Sequence, residues 1–330
     1  MATGGPVVRI DETPSARALR IGFGSLWLLD GLLQAQPGMF TMDMVSTIMQ
    51  PAATGQPAWL ASLIGWSIHV TTPHIVVFNT LVVALQLAIG ILLLCGGRPR
   101  LVRTGAALAL VWALVIWLFG EGLGQLLTGS ASALSGAPGS ALLYAVAAVM
   151  MLLAWPASDL RAAGRSLATW AVVALFALTV ALQLNPLFFH SLGLASVFGQ
   201  GAMMAQPRVL DAPIRWLTDA SGARPGLVNG MVIGLMAAAA LATPWITRGR
   251  LGVTLLAGLV LLLFAEWWLG QDFGMPFGGM ATDPNTAAPA LVLVLSGYLA
   301  DRRLGLRTVA AEPRSADEPP TLPRSVSRGA

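Results

Sequence analysis

The chain runs to 330 residues, 56% of them hydrophobic and 10% charged, whereas a soluble globular domain carries about 25% charged side chains. That balance excludes an ordinary water-soluble globule and makes the lipid bilayer the expected solvent. A formal charge of +4 and a pI near 10.5 do not mark a nucleic-acid binder, because the basic residues are spread over short loops rather than gathered on one face.

Residues 1–16 form a cytoplasmic N-terminal segment without the small-residue cleavage pattern of a removable signal peptide, and the first apolar run is too long for one, so that run is expected to stay as an anchor. Crossing the hydrocarbon takes roughly 17 to 25 apolar residues. Runs of about that length lie at 18–36, 73–95, 101–120, 138–155, 167–189, 225–246 and 250–270, with a shorter one at 287–300. The expected fold class is an all-α integral membrane protein with eight transmembrane helices. Long connections at 37–72 and 190–224 contain "PAWLASLIGW" and "DAPIRWLTDA", each able to form an interfacial helix with Trp59, Trp66 or Trp216 at the headgroups. The loops 127–140 and 274–289 are rich in Gly and small polar residues, and the tail 309–330, rich in Pro, Arg and acidic residues, reads as disordered.

All 19 basic residues are Arg. Sixteen fall before or at the start of the first run, between an even-numbered run and the start of the next, or in the tail, and only Arg208, Arg215 and Arg224 fall on the other side. The positive-inside rule then places both termini in the cytoplasm of a multi-pass cell-membrane protein.

The second half of the chain echoes the first. "LLQAQPGMF" at 32–40 matches "ALQLNPLFF" at 181–189, pairing Gln34 with Gln183 and Gln36 with Asn185. Asn79 and Asn229 open the next matched stretch, and "LFGEGLGQ" at 118–125 matches "LFAEWWLGQ" at 263–271, which pairs Glu121 with Glu266. The chain thus reads as two tandem four-helix units, 17–156 and 167–304. Because four is even, they share one orientation, related by a pseudo-two-fold along the membrane normal.

"LRIGFGSLWLLDGLLQ" (19–34) followed by an external helix and "LQLAIGILLLCG" (85–96) resembles the DoxX/DoxD-like family of small four-helix membrane proteins. Some members are subunits of thiosulfate:quinone oxidoreductase, and others accompany redox enzymes. The resemblance implies an accessory or quinone-proximal component of a membrane redox system, with a quinone as possible cofactor and a redox enzyme as possible partner. Gln34 and Gln86 stand where the family pattern leads one to expect a basic and an acidic residue.

Ionisable groups at membrane depth are costly, so they are functional candidates by default. Asp30 lies two-thirds along the first run, with Thr179 as its counterpart, and Glu121 and Glu266 sit where the third and seventh runs reach the outer interface. The bland role for each Glu is to cap the backbone of the loop that follows. Asn79 and Gln86, two helical turns apart, share one face, where they can glue helices together or line a polar cavity.

No catalytic signature appears. The absence of Lys removes P-loops, Schiff-base chemistry and Ser-Lys dyads, and the single Cys95 removes disulfides and thiolate cages. Met39, Met42, Met44, His69, His74 and His190 all fall on the outer side and form a candidate soft-metal set, most simply for Cu(I). Helical geometry opposes it: Met42 and Met44 diverge by about 160° on a helix, so capture by both needs an extended segment. The rival readings are therefore a small-solute or copper transporter and a scaffold without ligand.

Overall fold

The computed structural model describes residues 12–96, 98–154, 160–203, 206–246 and 249–297. The expectations for residues 1–11, for the end of the last run and for the tail 309–330 lie outside the described residues. Among those described there is no strand; helices and short turns make up the whole.

The long helices are α1 (Pro14–Gln34), α2 (Ala58–Thr71), α3 (Ile75–Leu94), α4 (Pro99–Val115) and α5 (Ser140–Ala154), then α6 (Leu160–Gln183), α7 (Ser191–Ala202), α8 (Arg208–Ala223), α9 (Pro225–Ala242) and α10 (Gly249–Ala265), with α11 (Ala287–Gly297) last. Among the described residues, four continuous helical stretches are long and apolar enough to cross a membrane: Ala58–Leu94, Pro99–Gly120, Pro225–Trp245 and Gly249–Gly270. The first of these joins α2 to α3 through the turn Thr72–His74, so the interfacial helix expected near 57–66 is one arm of a single 37-residue helical stretch. α1 is 21 residues long but holds Arg17, Arg20 and Asp30, which lower its mean hydropathy.

In the first half α1 packs on α3, α3 on α4, α4 on α5 and α5 back on α1, closing a four-helix ring. Small residues bring the backbones together, as is usual between helices in lipid. A Cβ on Gly90 would strike Leu28 and the Gly24 carbonyl, and one on Gly105 would strike Leu92. The inner faces follow helical spacing: Phe23, Trp27, Asp30 and Gln34 are buried on α1, and Asn79, Val82, Gln86, Ile89 and Leu93 on α3. At the end away from Gln34, buried Arg20 pairs with Glu12 at 2.7 Å and donates to the Leu93 carbonyl at 2.8 Å. It thereby satisfies a carbonyl that the end of α3 leaves open.

The connection 37–53 folds over the opposite end of the ring. Pro37–Phe40 is a single 3-10 turn; Met42–Met44, the π-turn Val45–Met49 and Gln50–Ala53 then form one helical stretch. Met39, Met44, Val45 and Met49 make an apolar cluster under Phe40, Ile68, Ile75, Phe78 and Met280.

The two halves exchange loops. From the first half, the Gly129 carbonyl accepts from Asn185 Nδ2 at 2.7 Å and the Ala133 carbonyl from Gln271 Nε2 at 3.2 Å. From the second, the Ala281 carbonyl accepts from Gln36 Nε2 at 3.2 Å, and Met280 lies over Gly38.

Candidate ligand cavity of the first four-helix ring

A cavity of about 130 Å³ lies inside the ring formed by α1, α3, α4 and α5, beneath the helical stretch 42–53. Three of the sequence candidates line it, Asp30 from α1, Gln86 from α3 and Glu121 just beyond α4. Its remaining walls are mostly apolar or aromatic, with Trp27, Phe78, Trp112, Phe119 and Tyr144 prominent. Thr282 and Asp283 reach it from the second half.

Helix irregularity places two walls. The π-turns Ile116–Gly120 and Val45–Met49 both face the cavity, and such turns are frequent at functional sites. The first ends at Glu121, whose amide bonds back to Ile116. The turn delivers the carboxylate to the start of α5, where Oε1 accepts from Ser140 Oγ at 2.8 Å and from the Ala141 amide at 3.1 Å. Part of the bland role therefore holds, since Oε1 caps a helix whose first amides have no partner within the helix. Oε2 is left without a hydrogen-bond partner. Burial and then the negative charge of Asp283 push the Glu121 carboxyl up to about 8, against the pull of the Ala141 and Ser140 bonds.

Four other polar atoms at the cavity wall make no hydrogen bond of regular geometry: Asp30 Oδ1, Gln86 Oε1, Trp112 Nε1 and the Tyr144 hydroxyl; of these the Asp30 carboxyl and the Tyr144 hydroxyl face each other. Asp30, Gln86 and Tyr144 are each at most 4% exposed. Buried polar groups are rarely left unpaired, and each one costs about 1–3 kcal/mol. Five such atoms at one wall leave hydrogen-bonding capacity directed at the cavity. Tyr144 is held by edge-on contacts to Phe23 and Trp27, with centroids 5.3 Å and 4.9 Å away.

Asn79 lies beside the cavity. Gln34 Nε2 donates to its Oδ1 at 2.6 Å, and its Nδ2 donates to the Gln34 carbonyl at 3.0 Å, so Asn79 joins α3 to α1. Gln86 makes no such bond through its Oε1.

Glu266 is not at this site. It opens the π-turn Glu266–Gly270 and is approached only by Gln271 Nε2, at 3.4 Å. The pairing of Glu121 with Glu266 is corrected by the backbone. Trp117 Nε1 donates to the Pro138 carbonyl and Trp267 Nε1 to the Pro284 carbonyl. Glu121 Oε1 accepts from the Ala141 amide and Gln271 Oε1 from the Ala287 amide. Gln271 is thus the local match of Glu121, because each is the first residue after a π-turn. Counting from these anchors and from Gln183 and Asn229, the places of Asp30, Gln86 and Tyr144 hold Thr179, Met236 and Ala290 in the second half.

The soft-metal set is not assembled. The segment is helical rather than extended; Met39 and Met44 lie inside the apolar cluster, while Met42 is 54% exposed. His69, His74 and His190 are all exposed, and no group of three or more His, Cys, Asp or Glu suited to a metal ion occurs among the described residues. The methionines act here as flexible apolar filler.

The sequence reading missed Tyr144, Trp112 and Asp283. Tyr144 lies in an apolar run and is one of only two tyrosines in the chain, the one signal that sets it apart. Comparison with family models, curated proteins and solved structures finds no match to this chain.

Proposed function

We propose that this is a multi-pass membrane protein of two tandem four-helix units, DoxX-like in kind, whose first unit holds a small ring-shaped ligand of the quinone class beside a membrane redox system. The observation that carries the reading is the cavity: about 130 Å³, mostly apolar, with five polar atoms on its wall that make no hydrogen bond of regular geometry. A cavity on the order of 150 Å³ takes one benzene ring, so this one matches a ring headgroup and not a large solute. Burial of a ring between apolar walls with a few convergent polar groups is the usual character of such sites.

The rival readings fit less well. A transporter path along the unit interface needs its polar residues between the units, whereas Asp30 and Gln86 point into one unit. A scaffold needs its carboxylates only capped, whereas Glu121 leaves Oε2 open. The duplication is supported by the paired contacts of Trp117 and Trp267, of Gln36 and Asn185, and of Asn79 and Asn229 with the carbonyls of Gln34 and Gln183. Eight spans with cytoplasmic termini follow from the sidedness of Arg; reporter fusions at 97, 160 and 248 should read cytoplasmic, and one at 130 external.

Titrating the detergent-purified chain with methyl-benzoquinone, read by quenching of Trp27 and Trp112, tests the ligand class. Saturable quenching that weakens at least tenfold in Gln86→Leu is expected. Quenching that rises linearly and is unchanged in the variant would remove the quinone reading.

A further inference from the structure

The hydrogen bonds around Glu121 make it more than a wall residue. Oε1 is taken up by the Ser140 hydroxyl and the Ala141 amide, both of which donate to it. A proton on this carboxyl therefore sits on Oε2, which has no partner of its own. In the ionised state Oε2 can only accept a hydrogen bond; in the neutral state it donates one. A ring carrying a carbonyl needs a donor there, and the same ring carrying a hydroxyl is best served by an acceptor.

We propose that Glu121 is the proton-exchanging residue of the cavity and selects between two forms of one ring ligand: the hydroxylated (reduced) form when Glu121 is ionised and the carbonyl (oxidised) form when it is protonated. The proposal rests on the ring-ligand reading above. It involves no electron transfer. The ligand binds as it is, and the only proton that moves is the one Glu121 exchanges with solvent. The ionisable groups facing Glu121 are Asp30 from α1, Tyr144 from α5 and Asp283 from the second half; α3 contributes only the neutral Gln86, and no basic residue lines the cavity. The elevated titration of Glu121, driven by burial and by Asp283, places the switch at about pH 8.

The second half supplies an internal precedent for the variant that tests this. Gln271, in the matching seat, turns Oε1 to the Ala287 amide at 2.9 Å and points Nε2 away as a donor, to the Ala133 carbonyl. Glu121→Gln should fold likewise and lock the donor state.

The test is anaerobic binding of methyl-benzoquinone and of methyl-hydroquinone to the full-length protein in detergent, across the pH range in which Glu121 titrates. Wild type should gain affinity for the hydroquinone as pH rises, by up to on the order of tenfold per pH unit, and lose affinity for the quinone. Glu121→Gln should hold the quinone within about threefold of the low-pH wild type and show neither trend. Equal pH dependence in wild type and Glu121→Gln overturns the proposal while leaving the ring-ligand reading intact. Failure of wild type to bind either form overturns both. The infrared C=O stretch of the ligand-free protein separates the parts: a protonated-carboxyl band that titrates in wild type and is missing in Glu121→Gln is expected, and a band unchanged in the variant removes Glu121 as the exchanging group.

Discussion

At the residue scale, Gly139 shows how tightly the carboxylate is seated. Its φ is +100°, and a Cβ there would collide with Glu121 Oε2. Gly139→Ala therefore combines backbone strain of about 1–3 kcal/mol with displacement of the group. Thermal unfolding should register the strain, and quinone quenching should weaken; unchanged quenching would show that Oε2 is not at the ligand. The raised carboxyls also set a pH dependence. Glu121, up from 4.5 to about 8, and Asp272, up from 3.8 to about 6 through burial, bind protons more tightly folded than unfolded. Stability contributed by these groups is fullest at low pH and is lost as pH rises through those windows. A melting series should fall between about pH 4.5 and about pH 8, and Glu121→Gln should flatten its upper part. Depth and charge made Asp30 and Glu121 visible in the sequence. Tyr144 was hidden because a phenol inside an apolar helix reads as packing, and only the ring contacts with Phe23 and Trp27 aim its hydroxyl at the cavity.

At the element scale, the π-turns give the register that the sequence comparison misaligned. Matching Glu121 to Glu266 pairs like with like, but the two π-turns, Ile116–Gly120 and Glu266–Gly270, correspond to each other, so the residue that follows the turn in the second half is Gln271. Letters alone carry no sign of such a turn. Deleting Gly120 should restore regular helix and swing Glu121 about 100° away from Ser140. Expression and helicity should survive while the pH-dependent ligand response disappears; survival of that response would mean the π-turn does not place the carboxylate. The sequence marked Asn79 as a candidate joint between helices, and the structure supplies its partner, Gln34 on α1. Replacing Asn79 with Leu strands the Gln34 amide and should cost about 0.6–2 kcal/mol, the range of side-chain hydrogen bonds between membrane helices, measurable in a denaturant series in mixed micelles.

At the scale of the whole molecule, the helical and membrane character came straight from composition and run length, since no other fold keeps every backbone amide paired in lipid except a closed barrel. What composition does not encode is which half keeps an open cavity. The two halves share the Asn bond to a Gln carbonyl and their Trp–Pro contacts, yet Thr179, Met236, Gln271 and Ala290 stand at the places of Asp30, Gln86, Glu121 and Tyr144, four of the five polar groups of the cavity wall. A variant that copies those four residues into the first half should melt no lower than wild type and bind no ring; retained binding would place the ligand elsewhere.

The exchanged loops bear on how the chain comes together during synthesis. The Gly129 and Ala133 carbonyls, and the cavity edge near Asp283, acquire their partners only once the other half has been made. The first half thus leaves the ribosome with its outer surface unfinished and its cavity missing one edge. Two separately translated halves, cut within residues 155–159, should recognise each other in the membrane through these clasps, and ligand binding would report their reunion.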